Sequence, residues 1–427
     1  MNNRIVTSLC VLCALLSAIQ RASAQGTLSP SAAPAPTMKT LSQVEPRTPI
    51  SALPATITTS GSYYITTNLT CTTCTGGTNG ITVSTSVENV TLDLNGFTLF
   101  GVAGSGNGIS AMNTGHNYVI LNGTLRNWGG DGVNASGSIN SRFENLQLYG
   151  NGAIGLQAGV SCVVGDCTAS GNTSDGINVG VGTDVRGCTS YQNGNHGITT
   201  SDSSTVKDCT VSVNNSDGID VGNNSTVIAC TVSSNGFTGG THGIGVGNNC
   251  TVKDCTAVSN YEDDGIDAGN NSTIIGCTAS GNSDYGIVVG NNCIIKDCTA
   301  SGNAGATCSF SGIAAGNNCT VKDCNASGNC GYGIAVPANN CQIVGNTCSV
   351  NGYFGIYISG TQNRIDGNTV GNNAQYGIYP NSVNVTNRIT RNSAPGNGIV
   401  NYYNYAGNSD YAPTGSVSTA SNPWTNF

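Results

Sequence analysis

The chain has 427 residues, of which 60 are Gly, 20 are Cys and only 8% are charged, and its formal net charge is −8. This shortage of charged helix-forming residues excludes a helical protein, and the regular recurrence of Val and Ile excludes a disordered one. The negative charge makes nucleic acid and anionic membrane surfaces poor partners.

The first 24 residues predict an export signal. Arg4 provides a basic start, residues 5–19 an apolar run, and residues 22–24 a small-residue cleavage site. We therefore expect a secreted, extracellular protein. No later stretch is long enough to predict membrane insertion. Residues 25–50 hold five of the 11 prolines and little that is periodic, which predicts an extended tether.

The next segment, residues 51–79, is predicted to cap the N-terminal end of the following domain. It contains Cys71 and Cys74, which close a very short loop and which we expect to form a disulfide. Cys308 and Cys330 precede successive repeats at nearly the same place and are predicted to form a second disulfide.

An internal repeat dominates residues 80–400. A Gly followed by Ile, Val or Leu recurs, mostly at intervals of 21 to 25 residues, and each interval is interpreted as one coil. We call these glycines the anchors. They are Gly80, Gly108, Gly132, Gly155, Gly176, Gly197, Gly218, Gly243, Gly265, Gly286, Gly312, Gly333, Gly355, Gly377 and Gly398.

Each repeat alternates as short strands separated by Gly-Asn-Asn and similar turns. A coil this small cannot bury its own apolar face, so coils must stack about 4.8 Å apart as parallel strands. The prediction is an all-β parallel solenoid of about 15 coils over residues 80–400, closed by a C-terminal cap over residues 401–427. Columns of Cys, such as Cys167, Cys188 and Cys209, are predicted to fill the interior as small apolar side chains, and disulfides between coils stay open.

The residue directly before each anchor forms one column that could carry chemistry. Stacked carboxyl and imidazole groups perturb one another's pKa values, and two carboxyls can serve as acid and base in glycoside cleavage. Farther along, the same column holds Tyr285, Tyr332 and Tyr376, whose rings could bind sugar faces. The candidate catalytic residues of the column and its neighbour are Asp175, His196, Asp217, His242, Asp263 and Asp264.

Two other interpretations of these residues stay open. Asp before Gly is an ordinary turn pattern that duplication of a coil would copy, so the column could be purely structural. Alternatively, oxygen ligands could hold Ca²⁺, and no other cofactor is predicted. The candidate calcium ligands are Asp217, Asp220, Asp263, Asp264 and Asp267.

The repeat also resembles a known family. The pattern Ile-x-x-Asn-x-x-x-x-Asn followed by Gly-Ile in residues 365–378 resembles the right-handed parallel β-helix repeat of the pectin-lyase-like superfamily. Residues 57–70 and 89–101 are similar to the N-terminal segment of secreted bacterial members. The resemblance implies a right-handed solenoid.

Short sequence segments around this column are similar to the catalytic strands of polygalacturonases. They are residues 172–177, 215–220, 241–244 and 262–267. The similarity implies that Asp217 or Asp264 is a general acid, that Asp263 and a partner carboxylate activate water, and that His242 orients them. No basic Arg-Ile-Lys counterpart follows, which favours a neutral glycan over pectate.

Two functions are therefore predicted as alternatives. One is a secreted protein that binds a polysaccharide or cell-surface glycan and could cleave it as a hydrolase or lyase. The other is a non-catalytic extracellular surface, matrix or adhesion protein whose rigid rod is its function. Neither the glycan nor the oligomeric state follows from the sequence.

Overall fold

The computed structural model describes residues 45–112, 115–237, 241–303, 305, 308–381, 386–403, 410–411 and 425–426. The chain divides into two compact units, Met1–Arg47 and Thr48–Phe427. The predicted export signal and most of the predicted tether lie outside the described residues. Within the described part of the chain, no helix is long and apolar enough to cross a membrane.

Sheet 1 contains the strands that follow the anchors. Its 16 strands are parallel, and each pairs with the strand of the coil before and after it. They are β2 (Ala55–Ile57), β5 (Ile81–Val83), β8 (Ile109–Ser110), β10 (Val133–Ile139), β12 (Leu156–Val160), β15 (Ile177–Val179), β18 (Ile198–Thr200), β21 (Ile219–Val221), β24 (Ile244–Val246), β27 (Ile266–Ala268), β30 (Ile287–Val289), β33 (Ser311–Ala315), β36 (Tyr332–Val336), β38 (Ile356–Ile358), β40 (Tyr376–Pro380) and β42 (Val400–Tyr402).

Sheet 2 has 27 strands in two parallel ladders, which share the longer strands β9 (Val119–Arg126) and β11 (Arg142–Tyr149). The first ladder also contains β1 (Thr48–Ile50), β3 (Gly61–Ile65), β6 (Val90–Asp93), β13 (Val163–Gly165), β16 (Asp184–Arg186), β19 (Thr205–Lys207), β22 (Thr226–Ile228), β25 (Thr251–Lys253), β28 (Thr273–Ile275), β31 (Ile294–Lys296), β34 (Thr320–Lys322), β37 (Gln342–Val344), β39 (Arg364–Asp366), β41 (Arg388–Thr390) and β43 (Asp410–Tyr411). The second also contains β4 (Leu69–Thr70), β7 (Thr98–Phe100), β14 (Thr168–Ser170), β17 (Thr189–Tyr191), β20 (Thr210–Ser212), β23 (Thr231–Ser233), β26 (Thr256–Val258), β29 (Thr278–Ser280), β32 (Thr299–Ser301) and β35 (Asn325–Ser327).

The predicted all-β solenoid of about 15 turns is confirmed. Ile177, Ile198 and Ile219 are in register on neighbouring strands and are fully buried, while the next residue along each strand points outward. This alternation is the period-2 pattern of a strand with one buried face. Every regular element of the described residues is a strand.

Parallel pairing extends into the segment before the first anchor. Strand β2 pairs with β5, and β1 pairs with β3, so the entry segment continues the stack. Ile50, Ile57 and Ile65 supply buried apolar residues there without an anchor. At the other end β42 and β43 continue the pairing, and most of the predicted cap lies outside the described residues.

An internal ladder of asparagines explains why the anchors must be glycine. Each amide donates a hydrogen bond to the amide oxygen of the next coil, as Asn260 does to Asn282 at 3.0 Å. A Cβ built on Gly265 would lie 2.4 Å from Asn282 Nδ2. The anchor thus leaves room for a buried polar ladder whose members satisfy one another.

The cysteines behave as predicted where the structure describes them. Disulfides join Cys71 to Cys74 and Cys308 to Cys330. The 14 described cysteines outside these bonds are free and buried. Their thiols contact nearby carbonyl oxygens, as Cys209 Sγ does with Lys207 O at 3.2 Å, so they fill the interior and stay unlinked.

Candidate functional site

Two columns of side chains cover the outer face of sheet 1. The anchor column contains the residue directly before each anchor, and the strand column contains the residue three positions later. Members of the strand column lie in register, with Asp220 opposite Gly245 and Gly245 opposite Asp267. Together these columns hold all the predicted catalytic residues except Asp263, which directly precedes Asp264.

The aspartates of the anchor column share one structural role. In each, Oδ1 accepts a hydrogen bond from the backbone N–H at the same position of the next coil. These carboxylates therefore link one coil to the next, a structural role different from the turn pattern that the sequence suggested. The pairs are Asp131 with Ile154 at 2.8 Å, Asp175 with His196 at 3.2 Å, Asp217 with His242 at 2.5 Å and Asp264 with Tyr285 at 2.8 Å.

The second carboxylate oxygen divides these aspartates into two groups. Asp131 Oδ2 accepts a hydrogen bond from Asn134 at 2.6 Å, and Asp175 Oδ2 accepts one from Asn178 at 2.7 Å. In those coils both oxygens are occupied within the protein. The strand column changes to aspartate in the coils of Asp217 and Asp264, so no amide is there to donate.

The first His/Asp cluster consists of His196, Asp217 and Asp220. His196 Nδ1 lies 3.1 Å from Asp217 Oδ2, a contact without the alignment of a hydrogen bond. The adjacent Asp217 carboxylate raises the pKa of His196 against the opposing effect of burial, and Asp175 and Asp220 add to the rise. Burial raises the pKa of Asp220, and the charge of Asp217 adds to it.

The second His/Asp cluster consists of His242, Asp263, Asp264 and Asp267. His242 Nδ1 lies 3.7 Å from Asp263 Oδ2 and 3.6 Å from Asp264 Oδ2, and Nε2 lies 3.4 Å from Asp267 Oδ2. One imidazole is therefore surrounded by three carboxyl groups. The three acids come from the coil that follows His242.

Burial and charge repulsion strongly perturb the second cluster. Burial raises the pKa of Asp264 to about 8, with the charge of Asp263 as the next cause. Burial also raises the pKa of Asp267. Asp264 consequently holds its proton near neutral pH, while most carboxyl groups have lost theirs.

Gly245 separates the two clusters in the strand column. It lies between Asp220 and Asp267, where most coils carry a side chain. A Cβ there would contact His242 Cδ2 at 3.4 Å and Asp220 Oδ1 at 3.8 Å. Gly245 is itself buried, so groups of both clusters lie close around it.

The same face becomes aromatic beyond Asp264. Tyr332 stacks on Tyr357 with ring centres 4.8 Å apart, and Phe354 stacks on Tyr379 at 4.6 Å. Tyr285 meets Phe310 edge to face, and Tyr376 contacts Tyr379 at 4.9 Å. The predicted sugar-binding rings of Tyr285, Tyr332 and Tyr376 thus lie in one half-buried row, and part of their surface is used by neighbouring rings.

A surface cleft lies at the turns that precede the anchor column. Its volume is about 520 Å³, and its lining includes Gly194, Asn215 and Phe237. None of its lining residues belongs to a His/Asp cluster, so the cleft is separate from the candidate site.

Comparison with known proteins identifies the family. A model of the right-handed β-helix region matches residues 79–237 and 199–343. The chain belongs to this family. The predicted right-handed parallel β-helix is therefore confirmed.

Several solved structures are similar to this β-helix protein. The Agl-KA catalytic domain is 14% identical over 69% of this chain and 58% of that one, with a TM-score of 0.40. The A-module of the Azotobacter vinelandii mannuronan C-5 epimerase AlgE4 is 15% identical over 80% of this chain and 87% of that one, with a TM-score of 0.32. Pectate lyase Pel9A is 16% identical over 84% and 73%, with a TM-score of 0.29. No curated protein matches the sequence.

Sequence reasoning missed the feature that divides the anchor column. The signal lies in the strand column, where Asn134 and Asn178 give way to Asp220 and Asp267. Reading the two columns together would have separated the aspartates whose second oxygen accepts a hydrogen bond from an asparagine from those whose second oxygen does not. Gly245 was visible in the same way, as the glycine of that column between two aspartates.

Proposed function

We propose that this protein is a secreted polysaccharide-binding protein and that it binds the glycan along the outer face of sheet 1. One observation carries the proposal: the His/Asp clusters and the row of aromatic rings occupy consecutive stretches of a single sheet face. Carboxylates accept hydrogen bonds from sugar hydroxyls, and aromatic groups pack against the apolar sides of sugars. A long face built from repeated coils suits a linear polymer.

The charge of the face favours a neutral glycan. Among the described residues, no strand of sheet 1 contains Lys or Arg. Lys207, Lys253 and Lys296 lie on sheet 2, and each has its ammonium group near the carboxylate of the following Asp. Unless a metal ion is bound there, a polyuronate on sheet 1 would face acidic clusters without a compensating cation.

Cleavage of the bound glycan is the second candidate function. It is favoured by Asp264, whose pKa of about 8 leaves a proton for the leaving oxygen at neutral pH. Asp263 is the nearest candidate for the second carboxyl, which would activate water, and His242 would orient both acids. In this account His196 and Asp217 contribute binding, whereas Asp175, whose two oxygens accept hydrogen bonds within the protein, does not.

The test is a glycan array together with a reducing-end release assay on the folded protein. The test variant is Asp220→Asn with Asp267→Asn, which changes two outward carboxylates and leaves the Asp217 and Asp264 links between coils. The matched control is Asp208→Asn with Asp254→Asn on the turns of sheet 2. Both control positions have a left-handed backbone, which Asn tolerates, so the charge change is the same and the strain is small.

We expect the test variant to lose glycan binding and the control to keep it. Release of reducing ends by the wild type, lost in Asp264→Asn, would add cleavage to binding. A wild type that binds no glycan would contradict the proposal. That result would favour the alternative of a structural or adhesive extracellular rod.

A further inference from the structure

We propose that the two His/Asp clusters are binding sites for divalent transition metals of the class that accepts both imidazole nitrogen and carboxylate oxygen, such as Zn²⁺ or Co²⁺. The first site consists of His196, Asp217 and Asp220. The second consists of His242, Asp263 and Asp264. In each group, one ligand atom from every residue lies within 4.8 Å of the others. The inference goes beyond glycan binding and stands without it.

The distances between the imidazole nitrogens and the carboxylate oxygens suit a shared metal ion. Ligands about 2.1 Å from a metal are roughly 3.0 Å apart at a right angle and roughly 3.4 Å apart in a tetrahedron. His196 Nδ1 and Asp217 Oδ2 are 3.1 Å apart. The corresponding distances from His242 Nδ1 to Asp263 and Asp264 are 3.7 and 3.6 Å, which small side-chain rotations would bring into range.

Unpaired buried atoms supply an independent observation. The Nδ1 atoms of His196 and His242 are buried and have no hydrogen-bond partner. Both nitrogens face carboxylate oxygens at 3.1 to 3.7 Å, so a cation shared with those oxygens would give each nitrogen a bonding partner. Thr241, directly before His242, and Thr199, three residues after His196, also have buried hydroxyls without a hydrogen-bond partner. Among the described residues, the chain's other histidine, His116, has no such unpaired buried atom.

The surroundings of the two histidines repeat along the chain, although the second site takes Asp263 as a ligand in place of Asp267. His196 is followed by Asp217 and, three residues later, by Asp220, and His242 is followed by Asp264 and Asp267 in the same way. The coils of Asp131 and Asp175, which have Asn at the third position, have no such group.

The donor set selects the class of metal. Ca²⁺ takes oxygen ligands, and the sequence predicted it from the aspartates alone. The structure places an imidazole in each group, and imidazole suits zinc and related transition metals. A divalent ion would also offset the repulsion among the neighbouring carboxyl groups.

The test measures metal binding to the full chain without a polyhistidine tag and without glycan. Protein stripped with a chelator is titrated with Co²⁺, Zn²⁺ and Ca²⁺ by calorimetry, and Co²⁺ absorption reports the type of ligand. The variants are His196→Ala and His242→Ala, and the matched control is His116→Ala. Circular dichroism shows that each variant is folded, and a carboxylate variant, Asp220→Asn, tests the first site without touching an imidazole.

We expect two equivalents of Co²⁺ or Zn²⁺ per chain, with weak d–d bands and no thiolate charge-transfer band. Each histidine variant should lose one equivalent, because removing a direct ligand weakens a site by at least about 100-fold. His116→Ala should keep both, and Asp220→Asn should weaken one. Absence of binding, binding unchanged in both histidine variants, a thiolate band, or tighter binding of Ca²⁺ than of Zn²⁺ would each overturn the proposal.

Discussion

The coils of Asp131 and Asp175 and the coils of Asp217 and Asp264 use the same carboxylate for the same backbone link and differ in what surrounds it. In the first pair, an Asn of the strand column occupies the remaining oxygen. In the second pair, that Asn is an Asp, and a histidine lies beside the carboxylate. The link between coils is therefore structural in all four coils. Only the second pair has carboxylate oxygens and imidazole nitrogens that remain available to a ligand.

Asp264 should make the stability of the folded protein depend strongly on pH. Asp264 has a folded pKa of about 8, above its unfolded value, so the unfolded chain loses this proton first as pH rises. Its contribution to the free energy of unfolding should therefore fall between about pH 4 and pH 8, by about 6 kcal/mol, and stay level above that. Denaturant unfolding in EDTA should show this slope for the wild type. Asp264→Asn should remove it, and an equal slope in both proteins would contradict the assignment.

Asp175→Ala should destabilise the protein by removing a carboxylate that links two coils. The change leaves the His196 backbone N–H and the amides of Asn178 and Asn195 without their acceptor. We expect the free energy of unfolding to fall by about 3 kcal/mol, because several buried hydrogen bonds are lost together. Asp175→Asn is the control, since its amide oxygen can still accept the backbone link. Equal loss in both variants would show that the link is not the cause.

Asp366 is a buried carboxylate whose pKa is lowered, whereas the pKa of Asp264 is raised. Arg391 lowers the pKa of Asp366 to about 2, and Arg364 adds to the effect. Because this pKa lies below the unfolded value, the contribution to stability is present above about pH 4 and is lost as the pH falls towards 2, by about 2 kcal/mol. Acid unfolding of Asp366→Asn beside the wild type checks this. A difference between the two that grows on acidification would be the wrong sign.

The smallest expected effect on stability belongs to Asp220→Asn. Its side chain makes no link between coils, and burial already raises the pKa of its carboxyl group. The free energy of unfolding should change by no more than about 0.5 kcal/mol. A thermal and a denaturant melt measure this. A larger loss would mean that Asp220 supports the fold, like Asp131 and Asp175.

Much of the fold could be predicted because the repeat is strict. Anchors at near-constant intervals and the alternation of residues such as Ile177 and Val179 specify coils of parallel strands. The disulfides at Cys71 and Cys308 followed from their positions outside the cysteine columns. The start of the stack at Thr48 could not be predicted, because the first coils have no anchor and their register depends on pairing with later strands.

The candidate site was predictable as a column but not as two clusters. Stacking alone placed Asp217 and Asp264 on one face with the histidines. Which oxygen links to the next coil depends on backbone register across coils, which the sequence does not state. In the structure Asn178 donates a hydrogen bond to Asp175. Asp220 and Asp267 stand at the same position as Asn178 and cannot donate one, and the sequence alone does not state this pairing.

The most direct test of the central claim measures glycan binding and unfolding on the same two proteins. One is Asp175→Ala, and the other is Asp220→Asn with Asp267→Asn. The account predicts that the first loses stability and, while folded, keeps glycan affinity, whereas the second keeps stability and loses affinity. If the double variant bound glycan as well as the wild type does, the clusters would not be the binding groups and the central claim would be wrong.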